Sequence, residues 1–412
     1  MAYVPVAFIL AGMAAYTLLA GADFGAGLWM LLATGPEAPR TRAEVRHAMG
    51  PVWEANHVWL IFVLVVCWTG YPVAFGSIAS TLAIPLTAAA VGIIFRGAAY
   101  ALRGQGTSRA AETVMALSSV LTPFSLGTVV GAIATGRVPV GNAAGNVVTS
   151  WLNVPSVLIG VVAVAFSGYL AAVYLAADSM RGTSPGLTRA FRTRALVAGV
   201  VSGGVALAGV LVMRHSGLDL TRGLALVMVC VSGAAGLATM ALCWRSRFQL
   251  ARLSAALAVA AVVAGWAAAQ APRMLPGMTV TQAAAGRSTL IALVIAVAGG
   301  CVVLIPSLAL LYSLFLRGRL DAPDAGHVPG GSGGSGGAGG AGVSVPAAIR
   351  PPADGEATRP PFVAVGVAVG GLLAGTGLLV FTDPVWLHGL GVACLIASGV
   401  STLTIPNTGD GE

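Results

Sequence analysis

The chain contains no lysine, and only 9% of its 412 residues are charged, whereas a soluble domain carries about a quarter. That shortage excludes a molecule whose surface is mostly wetted by water. Its five cysteines, Cys67, Cys230, Cys243, Cys301 and Cys394, have no paired spacing, so no zinc site, redox dithiol or covalent haem attachment is written here. They read as small core residues. No glycine-rich stretch ends in Gly-Lys-Ser or Gly-Lys-Thr, which removes the phosphate-cradling loop of nucleotide hydrolases. All 22 basic residues are arginine and the net charge is +8, but they fall singly or in small groups between apolar runs. A phosphate-tracking stripe would gather them, so no nucleic-acid partner is expected.

Hydrophobic residues, by contrast, make up 57% of the chain, with a mean hydropathy of +0.88. Such a chain belongs in a lipid bilayer. A helix needs about 20 apolar residues to cross a hydrocarbon core of about 30 Å. Runs of that kind lie near 4–32, 53–75, 77–101, 113–134, 152–177, 195–213, 223–243, 250–270 and 288–316. The expected fold is therefore an all-α integral membrane protein with a nine-helix domain over 1–316. Residues Met1 to Leu32 begin without a basic region and run too long for a signal core, so they read as the first transmembrane helix.

Residues 317–360 then form a polar, glycine-rich stretch, with only glycine, serine and alanine from Gly330 to Gly342. It cannot bury a core and is expected to be a flexible linker. Two further apolar runs, Phe362 to Phe381 and Val385 to Ile405, suggest an appended two-helix C-terminal hairpin over 361–405, turning at Asp383-Pro384 and followed by the tail 406–412. Alternate loops divide the arginines unequally. One set holds only Arg137, Arg214, Arg222, Arg273 and Arg287, and the other holds the remaining seventeen. Basic residues accumulate on the cytoplasmic side, so the amino terminus is expected outside and the linker in the cytoplasm.

Charges within membrane helices are costly, and each invites a functional reading. Of fourteen acidic residues, all but Asp23 and Glu54 fall in loops, helix ends or tails. Asp23 stands about five residues past the midpoint of the first helix, or roughly 7 Å toward its second end. Glu54 follows the first loop directly, so both carboxylates sit toward one membrane face. They read either as helix-end carboxylates or as acids passing protons inward. Small residues four apart around Asp23, in Gly21-Ala22-Asp23-Phe24-Gly25-Ala26-Gly27, permit close helix approach and leave room for water.

The second segment, Gly50-Pro51-Val52-Trp53-Glu54-Ala55-Asn56-His57-Val58-Trp59-Leu60, gathers an acid, an amide, an imidazole and two indoles at a helix opening. Glu54 and His57 share a face, as do Trp53 and His57, and Asn56 and Trp59. A protonic relay and an interfacial tryptophan belt both fit this composition. Of the histidines, only His57 approaches a helix interior in the main body. His47, His215, His327 and His388 lie in a loop, a helix end, the linker and the hairpin. A bis-histidine haem needs two ligands at one depth, and no haem is expected in this chain. Arg96 either pairs with a carboxylate or snorkels to the interface, and snorkelling is the default.

These residues resemble a known family. Gly21 to Gly27 is similar to the Gly-Phe-Asp-x-Gly-x-Gly signature in the first helix of cytochrome bd oxidase subunit II. Pro51 to Leu60 resembles its Pro-x-Trp-Asp-Gly-Asn-x-Val-Trp-Leu. Phe95-Arg96, Pro272 to Pro276, Thr279 to Ala284, Pro306 and Tyr312 agree as well, and the likeness spans residues 1 to about 320. It implies a heterodimer in a prokaryotic cell membrane, in which a haem-bearing subunit I binds haem b and haem d, oxidises quinol and reduces oxygen. Small accessory subunits and, in some members, a structural quinone accompany the pair.

Subunit II itself carries no haem. The resemblance puts Asp23 and Glu54 on a cytoplasmic proton route and Trp59 beside an apolar passage for oxygen. Helix geometry adds Asn56 and His57 as candidates for the proton route, and Trp53 and Arg96 as candidates for oxygen access or the subunit interface. Three departures stand out: glutamate and alanine replace aspartate and glycine at 54 and 55, His57 fills a variable position so that its role rests on geometry alone, and the linker and hairpin have no counterpart in the nine-helix pattern. The competing class is a proton-coupled secondary transporter. Transporters often show inverted repeats and broken helices meeting at the midplane, but no internal repeat is evident here and Asp23 lies off-centre.

Overall fold

The computed structural model describes residues 1–35, 38–49, 53–101, 109–180 and 185–316, with the isolated positions 390 and 394. The expected linker 317–360 and hairpin 361–405 lie outside the described residues. Twelve helices occur among the described residues: α1 (Val4–Leu31), α2 (Ala38–Met49), α3 (Trp53–Gly70), α4 (Pro72–Thr81), α5 (Ala83–Ala101), α6 (Arg109–Ala134), α7 (Val154–Asp178), α8 (Pro185–His215), α9 (Gly223–Trp244), α10 (Phe248–Gln270), α11 (Val280–Ala283) and α12 (Arg287–Leu316). Two short antiparallel strands, β1 (Arg273–Leu275) and β2 (Met278–Thr279), interrupt the last connection.

Six helices (α1 and α6 to α10) are long and apolar enough to cross a membrane, and seven spans result if the bent pair α4 and α5 counts as one. Shorter apolar stretches, Asn56–Gly70 and Arg287–Val302, lie in α3 and α12. The protein is thus an all-α multi-pass membrane bundle. Helices pack as sequential neighbours, α5 on α6, α6 on α7, α7 on α8 and α9 on α10, and α1 lies centrally against α3, α6 and α7.

Three elements differ from the sequence expectation, each for a local reason. The run expected over 77–101 breaks at Leu82 (φ −107°, ψ 28°), where α4 and α5 meet at 83°. Pro72 opens α4 within its first turn, where a missing N–H costs nothing. The hydroxyls of Ser77 and Ser80 bond back to carbonyls of α4 and also accept from the amides of Gly141 and Ala143. Those bonds tie α4 to the 135–153 connection at one end of the bundle, and α5 alone, about 28 Å long at 1.5 Å per residue, remains to cross. Second, α2 forms in what reads as a loop, with Thr41 and Val45 buried one turn apart. Third, α8 begins ten residues before the apolar run at 195.

Alternation of helix direction gives the bundle two ends. At one end α1 finishes and α8 and α10 begin; Arg194 of α8 lies over the Trp29 ring there, and Arg252 of α10 reaches the Tyr174 carbonyl of α7. The largest cluster, with Met30, Val45, Leu170, Leu175, Phe191 and Phe248, closes this arginine-rich end. A second cluster around Tyr71, Leu82, Val138 and Leu275 closes the opposite end. There the Thr279 and Gln282 capping box starts α11, and the Ala285 amide bonds to the Gly70 carbonyl at 2.8 Å.

Candidate functional site

A carboxylate and a guanidinium meet inside the bundle, toward its arginine-rich end. Asp23 on α1 and Arg96 on α5 are 2% and 1% exposed. Arg96 Nη2 donates to Asp23 Oδ1 at 2.7 Å, and Nε donates to Oδ2 at 3.0 Å, so both carboxylate oxygens face the guanidinium fork. Nη2 also donates to the Asp23 backbone carbonyl at 2.7 Å, and Nη1 donates to the Ser119 hydroxyl of α6. Ser119 in turn donates to the Met115 carbonyl at 2.6 Å. Neither charge would be tolerated alone at this depth. Paired in two-pronged geometry with further hydrogen bonds, they offset most of the desolvation cost.

Small residues make the pairing possible. A Cβ on Gly27 would stand 2.0 Å from the Ser119 hydroxyl oxygen and 3.1 Å from Arg96 Nη1, so only glycine leaves Ser119 room to face the guanidinium. On Gly25 a Cβ would stand 1.8 Å from the Ser167 carbonyl oxygen, which shows α1 pressed against the backbone of α7. The spacing noted in the sequence is therefore a packing device that brings polar groups from α1, α5 and α6 together.

One face further along α1, Phe24 separates this pair from the second motif. The Arg96 guanidinium lies 5.2 Å from the Phe24 ring centre, and the His57 ring meets Phe24 edge-on at 6.0 Å and Tyr16 at 5.9 Å. His57 and Asn56, near the start of α3, are both buried. Asn56 Nδ2 donates to the Leu19 carbonyl of α1 at 3.3 Å, and its Oδ1 has no hydrogen-bond partner among the described residues. Trp59 packs on the Tyr16, Ala20 and Phe24 cluster and meets Phe62 edge-on at 6.3 Å.

Of the residues singled out from sequence, Asp23, Arg96, Asn56, His57 and Trp59 thus converge on one side of α1. Glu54 and Trp53 lie in the first turn of α3, and their side chains fall outside the described residues. Arg96 departs from the snorkelling expected of it, because Asp23 supplies a partner that the interface would otherwise have to provide. His57 and His215 sit at opposite ends of the bundle, the first near the start of α3 and the second in the last turn of α8, and cannot share a haem. Among the described residues no three His, Cys, Asp or Glu side chains gather into a metal site. Sequence reasoning missed Ser119, Phe24 and Tyr16 as parts of the site. Tyr16 was reachable, since it precedes Asp23 by seven residues on one helical face, whereas nothing marks Ser119 among the serines of α6.

A polytopic helical bundle with a buried Asp–Arg pair beside a histidine-bearing helix start defines a class of membrane protein, and comparison with known proteins gives the family. Residues 1–315 match the family described as cytochrome bd terminal oxidase subunit II, and the chain belongs to it. A relative from Bacillus subtilis (strain 168), cytochrome bd ubiquinol oxidase subunit 2, is 28% identical over 153 residues, which cover 35% of this chain and 44% of the relative. That match spans less than half of the relative's length. A solved structure of bd oxidase from Geobacillus thermodenitrificans shares the fold, with a TM-score of 0.64 and 23% identity over 77% of this chain and 98% of that one.

Proposed function

We propose that this chain is the non-haem subunit II of a bd-type quinol:oxygen oxidoreductase, paired with a haem-bearing subunit I in a prokaryotic cell membrane. The observation that carries the proposal is family membership over residues 1–315, joined to a buried, uncharged-in-sum polar cluster built from that family's signature positions. In this reading the partner's haem b and haem d pass electrons from quinol to oxygen. The present chain contributes the protonic side of the reaction, because reduction of oxygen to water consumes protons. The amino terminus faces outward and the arginine-rich end faces the cytoplasm.

Glu54 and His57, at the start of α3, receive protons from the cytoplasmic surface, and Asn56 orients the path beside them. Carboxyl and imidazole groups suit this work because both exchange protons near neutral pH once their surroundings tune them. Asp23, fixed by Arg96, which Ser119 holds in turn, sets the local field at the inner end of that path. Trp53 and Trp59 border the oxygen passage or the contact with subunit I, whereas Arg96, enclosed in the bundle, serves to hold Asp23. A proton-coupled transporter finds little support, since the helix break between α4 and α5 lies at one end of the bundle and not at its midplane.

The deciding experiment is purification of the membrane complex. A bd-type oxidase subunit brings down a pigmented partner whose reduced spectrum shows b and d bands, and the complex consumes oxygen with quinol. A colourless chain that works alone overturns the reading. Within an active complex, Glu54→Gln is expected to slow quinol-driven oxygen uptake by about tenfold or more, while Glu54→Asp retains it and the haem spectrum stays unchanged. Full turnover in Glu54→Gln would remove that carboxylate from the proton route.

A further inference from the structure

With 31 residues, α8 is about 46 Å long at 1.5 Å per residue, well beyond a hydrocarbon core of about 30 Å. Its surplus lies at the arginine-rich end, where Arg194 reaches the level of Trp29, two residues before α1 stops, and Arg189 and Arg192 stand nearer the start of α8. Two hollows open there, of about 360 Å³ and 540 Å³, and Arg189 lines both. The larger is bounded by Trp29, Arg189, Thr193, Arg194 and Val197. No carboxylate lines either hollow among the described residues. Asp178, nearby on α7, is already paired with Arg252 at 2.5 Å.

Arg194 is the informative group. Its guanidinium lies over the rings of Trp29 and Phe191, at 5.6 and 5.0 Å from their centres. Its Nη1 is buried without a hydrogen-bond partner among the described residues. An unpaired buried donor is costly, and Arg194 and Arg189 both line the larger hollow, where an anionic oxygen would meet two guanidinium groups. Beyond Arg194 the same face of α8 continues with Val197 and Val201, which are 56% and 52% exposed. A free phosphate gains nothing from that apolar strip, whereas an acyl chain does.

We propose that this end of the protein binds one anionic phospholipid, its phosphate taken by Arg189 and Arg194 and an acyl chain laid along Val197 and Val201. The site is separate from the Asp23 cluster and does not depend on the oxidase reading. The test is native mass spectrometry of the complex as isolated in non-ionic detergent, delipidated and titrated with phosphatidylglycerol or phosphatidylcholine. One phosphatidylglycerol per chain is expected to be retained at about tenfold lower concentration than phosphatidylcholine. Arg189→Gln, a surface change that leaves the fold intact, and Arg194→Gln should each reduce that preference several-fold, whereas Arg245→Gln, at the same end but outside both hollows, should not. Equal retention of the two lipids, or full preference in both variants, overturns the proposal. Displacement of phosphatidylglycerol by millimolar inorganic phosphate would make the site one for free phosphate and would also overturn it.

Discussion

The helices α1, α3, α5, α6 and α7 and the helices α8, α9 and α10 all carry long apolar stretches, but they are assembled differently. In the first group glycines are filled by their neighbours: a Cβ on Gly25, Gly27, Gly92, Gly127 or Gly131 would meet another helix at 2.7 Å or less. In the second, Gly203, Gly204, Gly233 and Gly236 have nothing within 4 Å. The same contrast runs through the ion pairs. Asp23–Arg96 is almost fully enclosed, Arg252–Asp178 is about a quarter exposed, and Asp219–Arg222 stands largely in the open between α8 and α9. Hydrophobicity thus puts all these helices in the membrane, and in the first group small residues also bring the side chains of Asp23, Arg96 and Ser119 together inside it. That group holds the candidate site.

The largest expected effect comes from unbalancing the buried pair. Arg96→Gln leaves the Asp23 carboxylate without its guanidinium, which should cost about 3–5 kcal/mol, seen as a fall in the unfolding midpoint of the purified complex. Adding Asp23→Asn should recover much of that loss, because a neutral amide needs no counter-charge. A double variant no more stable than Arg96→Gln alone would mean that the pair is not what holds α1 to α5. Oxygen uptake measured on the same double variant then separates a stabilising role of Asp23 from a protonic one.

A smaller effect tests the glycine contrast directly. Gly25→Ala drives a methyl group into the Ser167 carbonyl of α7, and forced overpacking of this kind costs about 1–3 kcal/mol. Gly233→Ala, placed in open space on α9, should be neutral or stabilise by up to about 1 kcal/mol through helix propensity. Thermal unfolding of the two variants side by side checks the sign as well as the size. Equal losses at both positions would erase the distinction between the two groups of helices.

Much of this was legible in the sequence, and what was not has identifiable causes. Long apolar runs located α1, α6, α7, α9 and α10 within a few residues, because span length is set by bilayer thickness. The motifs around Asp23 and His57 were visible because polar residues are scarce in such a chain. The break at Leu82 was missed, since Pro72 and the serines of α4 are compatible with a helix and only their bonding to Gly141 and Ala143 shows where α4 is held. The early start of α8 was hidden by its arginines, which read as loop. The partnership of Asp23 with Arg96 spans 73 residues of sequence, and hydropathy carries no signal of which helices touch.

The smallest effect concerns the most exposed pair. Asp219, between α8 and α9, accepts hydrogen bonds from the Thr221 hydroxyl at 2.6 Å and the Thr221 amide at 2.9 Å, and Arg222 lies 2.9 Å away. Those bonds, the hydroxyl foremost, hold its carboxyl below the usual carboxylate range, with the two arginines Arg222 and Arg214 adding to them. A lowered folded-state value means that this local stabilisation is fully present above the unfolded value of about 3.9 and is lost as pH falls through the folded one. Thr221→Val removes the hydroxyl and keeps the amide, so the Asp219 titration, followed by carboxyl-carbon NMR, should move upward toward the ordinary range. Unfolding at neutral pH should hardly change, because water replaces the lost bond at an exposed turn, whereas no water can replace Arg96 beside Asp23. An equal response at the two sites would mean that depth in the bundle does not set the strength of these contacts.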